Sequence, residues 1–393
     1  MERFDVLVVG AGPAGSTAAY RLAREGASVL LADRARFPRD KPCGGGLTMR
    51  AVRLLPFSVD PVVEDRASVV EFGLDFGSRF ERRTHEPLVL MTQRKRLDSF
   101  LAEQAANAGA DFRDGTKVTE LELTASGVKA LVNGDKIAAN TVLCADGVNG
   151  VGARAAGLDE GRDYGVALEA NVPYGVVSRE RYQGRLCLEL ANVPGGYGWV
   201  FPKGDHVNVG VGGWEREGPR LRDHLARFCR EYSIPESSLE ALRGYRLPLL
   251  HARARLATGR LALLGDAAGL VDPLSGDGIY EAFLSAKLAA DEALGVLAGE
   301  QEDLTGYDRE LRRALSSQLA AAWGAKVALD RFPRLTYAAV RTPYLWKAVV
   351  SLIGGEVPSP SAMRGPRRAS LRIVEAIARV AGDPGRAYRA AQT

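Results

Sequence analysis

The 393-residue sequence predicts an α/β fold, in which a Rossmann-like nucleotide-binding domain is joined to an antiparallel β-sheet domain and followed by a C-terminal helical region. Three observations carry this expectation. A strand, glycine turn, helix and second strand open the chain; another apolar strand ends in a glycine cluster near residue 265; and residues 165–213 alternate in strand fashion. Composition is that of an ordinary globular protein, 46% hydrophobic and 25% charged, which argues against wholesale disorder. The length fits two to three domains or one large composite. Glycine is abundant, with 44 residues against a usual share of ~7%. The excess has no period, so collagen is excluded, and it points to places where backbone turns tightly or approaches a ligand.

The elements follow in order. Residues 4–9 are short, apolar and β-branched, as in a buried parallel strand. Residues 16–24 read as a helix and 28–33 as the next strand, completing a βαβ unit. Residues 34–50 form a Pro/Gly-rich loop too long for a plain connection, which marks them as functional. A helix is expected over 95–108, several strands over 117–144, and helices over 220–232 and 236–243. Residues 260–265 read as a buried strand, with long helices over 278–298 and 304–330. The tail reads as helical with breaks at Pro333, Pro343, Pro358 and Pro360.

The first glycine motif is Gly10-Ala11-Gly12-Pro13-Ala14-Gly15. In such a motif the first glycine makes the turn, the second lets backbone approach a pyrophosphate, and the third lets helix and strand pack closely. The helix N-terminus then offers free N–H groups to phosphates. Asp33 ends the second strand, where a carboxylate can accept hydrogen bonds from an adenosine ribose. Arg34 beside it suits either the 2′-phosphate of NADP or the adenine of FAD. A turn that binds nothing is the bland alternative. The second cluster is Gly265-Asp266-Ala267-Ala268-Gly269, followed by Asp272 to Ile279. Asp266 is placed to fix a polyol hydroxyl such as the ribityl chain of FAD. Gly276, Gly278 and Ile279 would bring a helix N-terminus to the edge of a flat ring. Here the alternative is an ordinary, well-capped βα turn.

Together these motifs resemble FAD-dependent oxidoreductases of the para-hydroxybenzoate hydroxylase superfamily. Arg94 resembles that superfamily's arginine reaching the flavin phosphates or ribityl chain, Val118 the position whose backbone holds the adenine, and Ala145-Asp146-Gly147 its Asp-Gly motif, although Asn149 stands where a serine is usual. Two further stretches narrow the likeness. Pro38-Arg39-Asp40-Lys41-Pro42-Cys43-Gly44-Gly45-Gly46-Leu47 and Tyr197-Gly198-Trp199-Val200-Phe201-Pro202-Lys203-Gly204 resemble the cysteine loop and substrate-sheet motif of geranylgeranyl reductases, which include archaeal lipid, chlorophyll-pathway and menaquinone-tail reductases. The resemblance runs over roughly residues 4–300. It implies a discontinuous FAD-binding domain at 1–60, 90–160 and 255–305, a substrate-binding sheet domain at 61–89 and 161–254, and a helical region at 306–393. It also implies reduction of isoprenoid C=C bonds by hydride from reduced flavin. Cys43 is then the candidate proton donor, with Gly44 and Gly46 beside the ring. Tyr197, Trp199 and Phe201 alternate on one strand and so share a face, either as a wall for a prenyl chain or as plain sheet core. Lys41 and Lys203 are candidate contacts for an anionic head group, each with a surface lysine as the alternative.

Other classes recede. Cys43, Cys144, Cys187 and Cys229 have neither CxxC nor metal spacing, and the four histidines form no metal motif, so no metal is expected. No second dinucleotide motif exists, so the external reductant is expected to be NAD(P)H visiting the flavin or an electron-carrier protein. Neither a signal peptide nor a membrane span is evident, and a cytoplasmic setting is expected. Residues 331–393 carry 11 Lys and Arg against 3 Asp and Glu. This basic tail is either a solvated helical face or a peripheral contact with anionic lipid at the inner membrane face; no recognition motif suggests nucleic acid. The competing functions are a flavin monooxygenase or halogenase of the same superfamily and a non-catalytic prenyl-lipid carrier.

Overall fold

The structure is a computed structural model, and it describes all residues except 125, 159–162, 251, 253 and 383–393. The strand Glu2–Val9 pairs in parallel with Val29–Ala32 on one side and Asp135–Cys144 on the other, and Asp111–Arg113 and Leu261–Leu263 extend the parallel sheet outward. The hairpin Val118–Thr124 and Gly127–Val132 folds back antiparallel on Asp135–Cys144. Val6, Leu7 and Val8 are fully buried, as expected of a strand covered on both faces. The helix Pro13–Arg24 lies against Ile279–Leu297, and the contact is made of small residues. Ala18, Ala19, Ala286, Ala289 and Ala290 are buried there, so the helices approach closely.

A second sheet has the order Glu240–Leu249, Asp163–Pro173, His206–Trp214, Tyr197–Pro202, Arg185–Leu190, Val69–Leu74, Arg79–Arg83. It is antiparallel except where Val69–Leu74 runs parallel to Arg185–Leu190. The long excursion through residues 75–184 supplies the crossover that a parallel pair requires. Val166, Leu168, Val207, Val209 and Val211 turn outward onto the helix Leu221–Glu231, burying Leu221, Leu225, Phe228 and Cys229. The alternate residues face the parallel sheet. The expected helix at 236–243 is instead a short turn, Glu236–Ser238, followed by the edge strand Glu240–Leu249. Leu-Glu-Ala-Leu-Arg favours helix locally, but pairing along Asp163–Pro173 overrides it.

The helix Thr305–Arg331 packs on Ile279–Leu297. Shorter helices Pro333–Val340, Pro343–Ile353 and Gly365–Ala381 follow, each starting at or near a proline. Trp346 is buried against Met91 and Leu186, which ties this region to the second sheet.

Candidate active site

A cavity of about 950 Å³ lies between the two sheets. It opens at the C-terminal ends of the parallel strands, where Val9, Ala32, Ala145 and Leu264 line it, the expected ligand position in an open α/β sheet. The three glycines of the first turn have separate physical reasons. Gly10 has φ +95°, and a Cβ on Gly15 would sit 1.8 Å from the Gly10 carbonyl oxygen. Both are fixed by the turn itself. A Cβ on Gly12 would meet only Arg39 Nη2 at 3.5 Å and Arg94 Nη2 at 3.8 Å, both on the cavity side. Gly12 is therefore a cradle over which two guanidinium groups stand. The helix that begins at Pro13 has neither a side-chain cap nor an acid in its first turn, and Pro13 and Ala14 line the cavity. A diphosphate fits this arrangement.

Asp33 is buried at the next strand end and accepts the Ala11 and Ala35 N–H groups, both at 2.8 Å. It thus braces the glycine turn as well as lining the cavity. Arg34, Thr116 and Val118 line the same end. Arg94 makes a two-pronged pair with Asp98, with both contacts at 2.7 Å. Burial alone would lower the guanidinium's pKa, but Asp98 outweighs it, and the group is firmly charged. Arg39, which lies in the cysteine-loop stretch but has no role assigned from sequence, joins Asp98 at 2.8 Å and Asp33 at 3.8 Å. Asp146 accepts the Val151 and Gly152 N–H groups at 2.6 and 3.0 Å, ordering the turn after the motif.

At the second cluster Asp266 accepts from Lys41 Nζ at 2.6 Å and Tyr245 OH at 2.9 Å. Burial pushes the Asp266 carboxyl up, but Lys41 and these hydrogen bonds more than offset it and hold the group below the usual range. Gly276 (φ +68°), Gly278 and Ile279 line the cavity. At this helix start the Ile279 N–H is donated to Asp277 Oδ1 at 2.9 Å, while Gly276 and Gly278 keep their place at the cavity. An aspartate two residues earlier caps its own helix in this way.

Tyr197, Trp199 and Phe201 all face the cavity, with ring centroids 5.9 and 6.1 Å apart along the strand. Trp199 lies over Gly210, where a Cβ would come within 2.2 Å of the indole, and its N–H is donated to Asn208 at 2.8 Å. Leu186, Leu188, Val89 and Met91 continue the apolar lining. The loop carrying Cys43, Gly44 and Gly46 crosses this wall, and a Cβ on Gly44 would clash with the Phe201 ring at 2.9 Å. Cys43 is a free, half-buried thiol whose Sγ accepts the Gly45 N–H at 3.3 Å, and burial pushes its pKa up.

Lys203 is no head-group contact. It is buried and donates to the carbonyls of Gly44 and Thr92, so it pins the cysteine loop from below, and burial lowers its pKa to about 8. Lys41 is likewise committed, to Asp266. Tyr245 and Glu169 also reach the site and were not signalled by any motif.

A cavity with a glycine turn under two guanidinium groups at one end, a buried carboxylate midway and an apolar arm has room and chemistry for a flavin dinucleotide. A family model described as FAD binding domain matches residues 3–320. Digeranylgeranylglycerophospholipid reductase 2 of Methanothermobacter thermautotrophicus is 32% identical over 350 residues, 84% of this chain and 88% of that protein. Menaquinone reductase of Mycolicibacterium smegmatis is 34% identical over 316 residues, 74% of this chain and 76% of that one. The crystal structure of a geranylgeranyl bacteriochlorophyll reductase-like protein from Thermoplasma acidophilum superimposes with a TM-score of 0.79 at 23% identity, covering 99% of this chain and 98% of that one. The chain belongs to the geranylgeranyl reductase family of FAD-dependent oxidoreductases. A flavin-dependent brominase also superimposes, with a TM-score of 0.76 at 19% identity and coverage of 96% and 100%, and shares the fold alone.

Proposed function

We propose that this protein reduces isoprenoid C=C bonds of a prenyl lipid, quinone or prenyl diphosphate. The observation that carries this reading is the continuous Tyr197–Trp199–Phe201 wall lining the same cavity as the Gly12 cradle, with the Cys43 loop packed across it. Bound FAD, once reduced, supplies a hydride to one alkene carbon; the other carbon needs a proton. Gly10, Gly12, Pro13, Ala14, Gly15, Arg39 and Arg94 would hold the diphosphate, Asp33, Arg34 and Val118 the adenosine, and Asp266 the ribityl chain. Gly276, Gly278, Ile279, Cys43, Gly44 and Gly46 would border the ring. The aromatic wall packs the chain and keeps water away. Cys43 is the proton donor, since burial keeps it a thiol at neutral pH. The FAD-binding unit would comprise 1–60, 90–160 and 255–305.

Electrons come from NAD(P)H entering the cavity or from a carrier protein. The lipid is reached by peripheral contact at the inner membrane face. Of the large apolar side chains exposed among the described residues, Leu335, Tyr344, Ile373 and Val380 lie on the C-terminal helices beside Arg341, Lys347, Arg372 and Arg379. That combination suits an anionic lipid surface. No helix among the described residues is long and apolar enough to cross a membrane. Deleting residues 356–393, which removes Ile373, Val380, Arg372 and Arg379, is expected to weaken co-sedimentation with anionic liposomes; unchanged co-sedimentation would refute the contact.

The central test is anaerobic turnover of chemically reduced enzyme with a panel of prenyl lipids. The expected product gains the mass of two hydrogens per reduced bond. No gain with any lipid, together with NAD(P)H- and oxygen-dependent hydroxylation, would overturn the reading.

A further inference from the structure

The strand Asp163–Pro173 turns Gly165, Ala167 and Glu169 toward the cavity. Across the neighbouring strands the same face carries Tyr197, Trp199, Phe201, Gly212, Tyr245 and Leu247. Within this mostly apolar surface Glu169 places a carboxylate, and its Oε1 accepts the Cys43 N–H at 2.8 Å. The contact spans 126 residues of sequence and joins the sheet to the cysteine loop at its functional residue.

The charges around Cys43 explain what the contact is for. Burial pushes the thiol's pKa up most and the Glu169 charge acts in the same direction, whereas Arg94, the Gly45 N–H and Lys203 favour the thiolate. Around Glu169 itself stand Lys203, Asp40, Arg243 and Tyr245, with Arg243 engaged by Asp40 at 2.7 Å and Tyr245 by Asp266. Two cations pull a thiol toward its ionised form; burial opposes them most, and a like charge beside the thiol adds to that opposition. We propose that Glu169 is a positioning residue for Cys43, holding the loop by its N–H and countering the neighbouring cations so that the side chain remains a neutral thiol. The inference rests on Cys43 being the proton donor. It explains why an otherwise apolar substrate wall carries an acid.

The test uses full-length, FAD-loaded protein and needs no lipid. Cys144, Cys187 and Cys229 are 0% exposed and Cys43 is partly exposed at the cavity, so alkylation of the folded protein by iodoacetamide reports on Cys43. The rate of Cys43 alkylation is followed by mass spectrometry over roughly pH 6 to 11, spanning the thiol range. Glu169→Gln keeps an acceptor for the Cys43 N–H and removes the charge. Its alkylation midpoint is expected to fall by roughly one pH unit, the effect of removing a like charge at a few ångström. Glu169→Asp keeps the charge on a shorter arm; its midpoint is expected to stay near that of the wild type while alkylation speeds up as the loop loosens. Midpoints that fall equally in both variants, or a Gln midpoint that does not move or rises, overturn the proposal. If Glu169→Gln fails to retain FAD, a lowered midpoint in Glu169→Asp alone overturns it. Failure of the isoprenoid reading would leave all of these profiles as expected.

Discussion

Gly12→Val is expected to yield a folded but colourless protein. The backbone at Gly12 has φ −78°, which valine adopts without strain, and a Cβ there meets no backbone atom within 4 Å. The new side chain instead fills the space beneath Arg39 and Arg94, where the diphosphate would lie against the helix N-terminus. Losing two charge-assisted contacts at roughly 1.5–3 kcal/mol each amounts to a fall in FAD affinity of about 100-fold or more. The check is the flavin-to-protein absorbance ratio after purification, with circular dichroism and thermal unfolding to show that the fold persists. Retention of stoichiometric FAD would remove the diphosphate from this turn. The neighbouring Gly15→Ala is a different experiment. With its Cβ 1.8 Å from the Gly10 carbonyl oxygen, it would displace the helix from the strand and destroy both fold and site. Of Gly10, Gly12 and Gly15, it is Gly12 that separates binding from folding.

That separation also shows what the sequence could and could not disclose. Motifs that act through contiguous backbone were legible: the Gly10–Gly15 turn, Asp33 at the strand end and the Gly265–Gly278 stretch each work where they stand in the chain. The period of two on Tyr197, Trp199 and Phe201 was equally local, since alternation alone puts three side chains on one face. Arg39, Glu169 and Tyr245 were invisible because their partners are distant in sequence. Arg39 meets Asp98, Glu169 meets Cys43, and Tyr245 meets Asp266, each through a tertiary contact that no spacing rule anticipates. Lys203 was misread for the same reason. A lysine after Phe-Pro reads as a head-group contact or a surface lysine, yet two carbonyls from other segments draw it inside. The edge strand Glu240–Leu249 has helix-forming residues and is held by its neighbour Asp163–Pro173 rather than by its own propensity. Gly210 belongs here too: its need for hydrogen as a side chain comes wholly from the Trp199 ring lying on it.

Cys43→Ser is expected to leave FAD bound and to slow single-turnover reduction of the alkene by reduced enzyme roughly 10²- to 10⁴-fold, the usual worth of a positioned general acid. Serine preserves the local geometry, since its Oγ can accept the Gly45 N–H as Cys43 Sγ does at 3.3 Å. What it lacks is an ionisable proton in the working range. The pH dependence distinguishes donation from mere pocket lining. The thiol is the competent form, and it is present below its folded-state pKa. Burial raises that pKa above the ordinary thiol value. The wild-type rate should therefore hold through the ordinary thiol range and fall only at more alkaline pH, whereas the serine variant should show no such limb. The measurement is anaerobic stopped-flow oxidation of reduced flavin by a prenyl lipid, run against pH for both proteins at saturating lipid. Equal rates, or an alkaline limb that survives in the serine variant, would move the proton to another group or to water. A loss seen only below saturating lipid, with the limiting single-turnover rate unchanged, would make Cys43 part of the chain-binding wall beside Phe201 and Trp199, and no longer the acid.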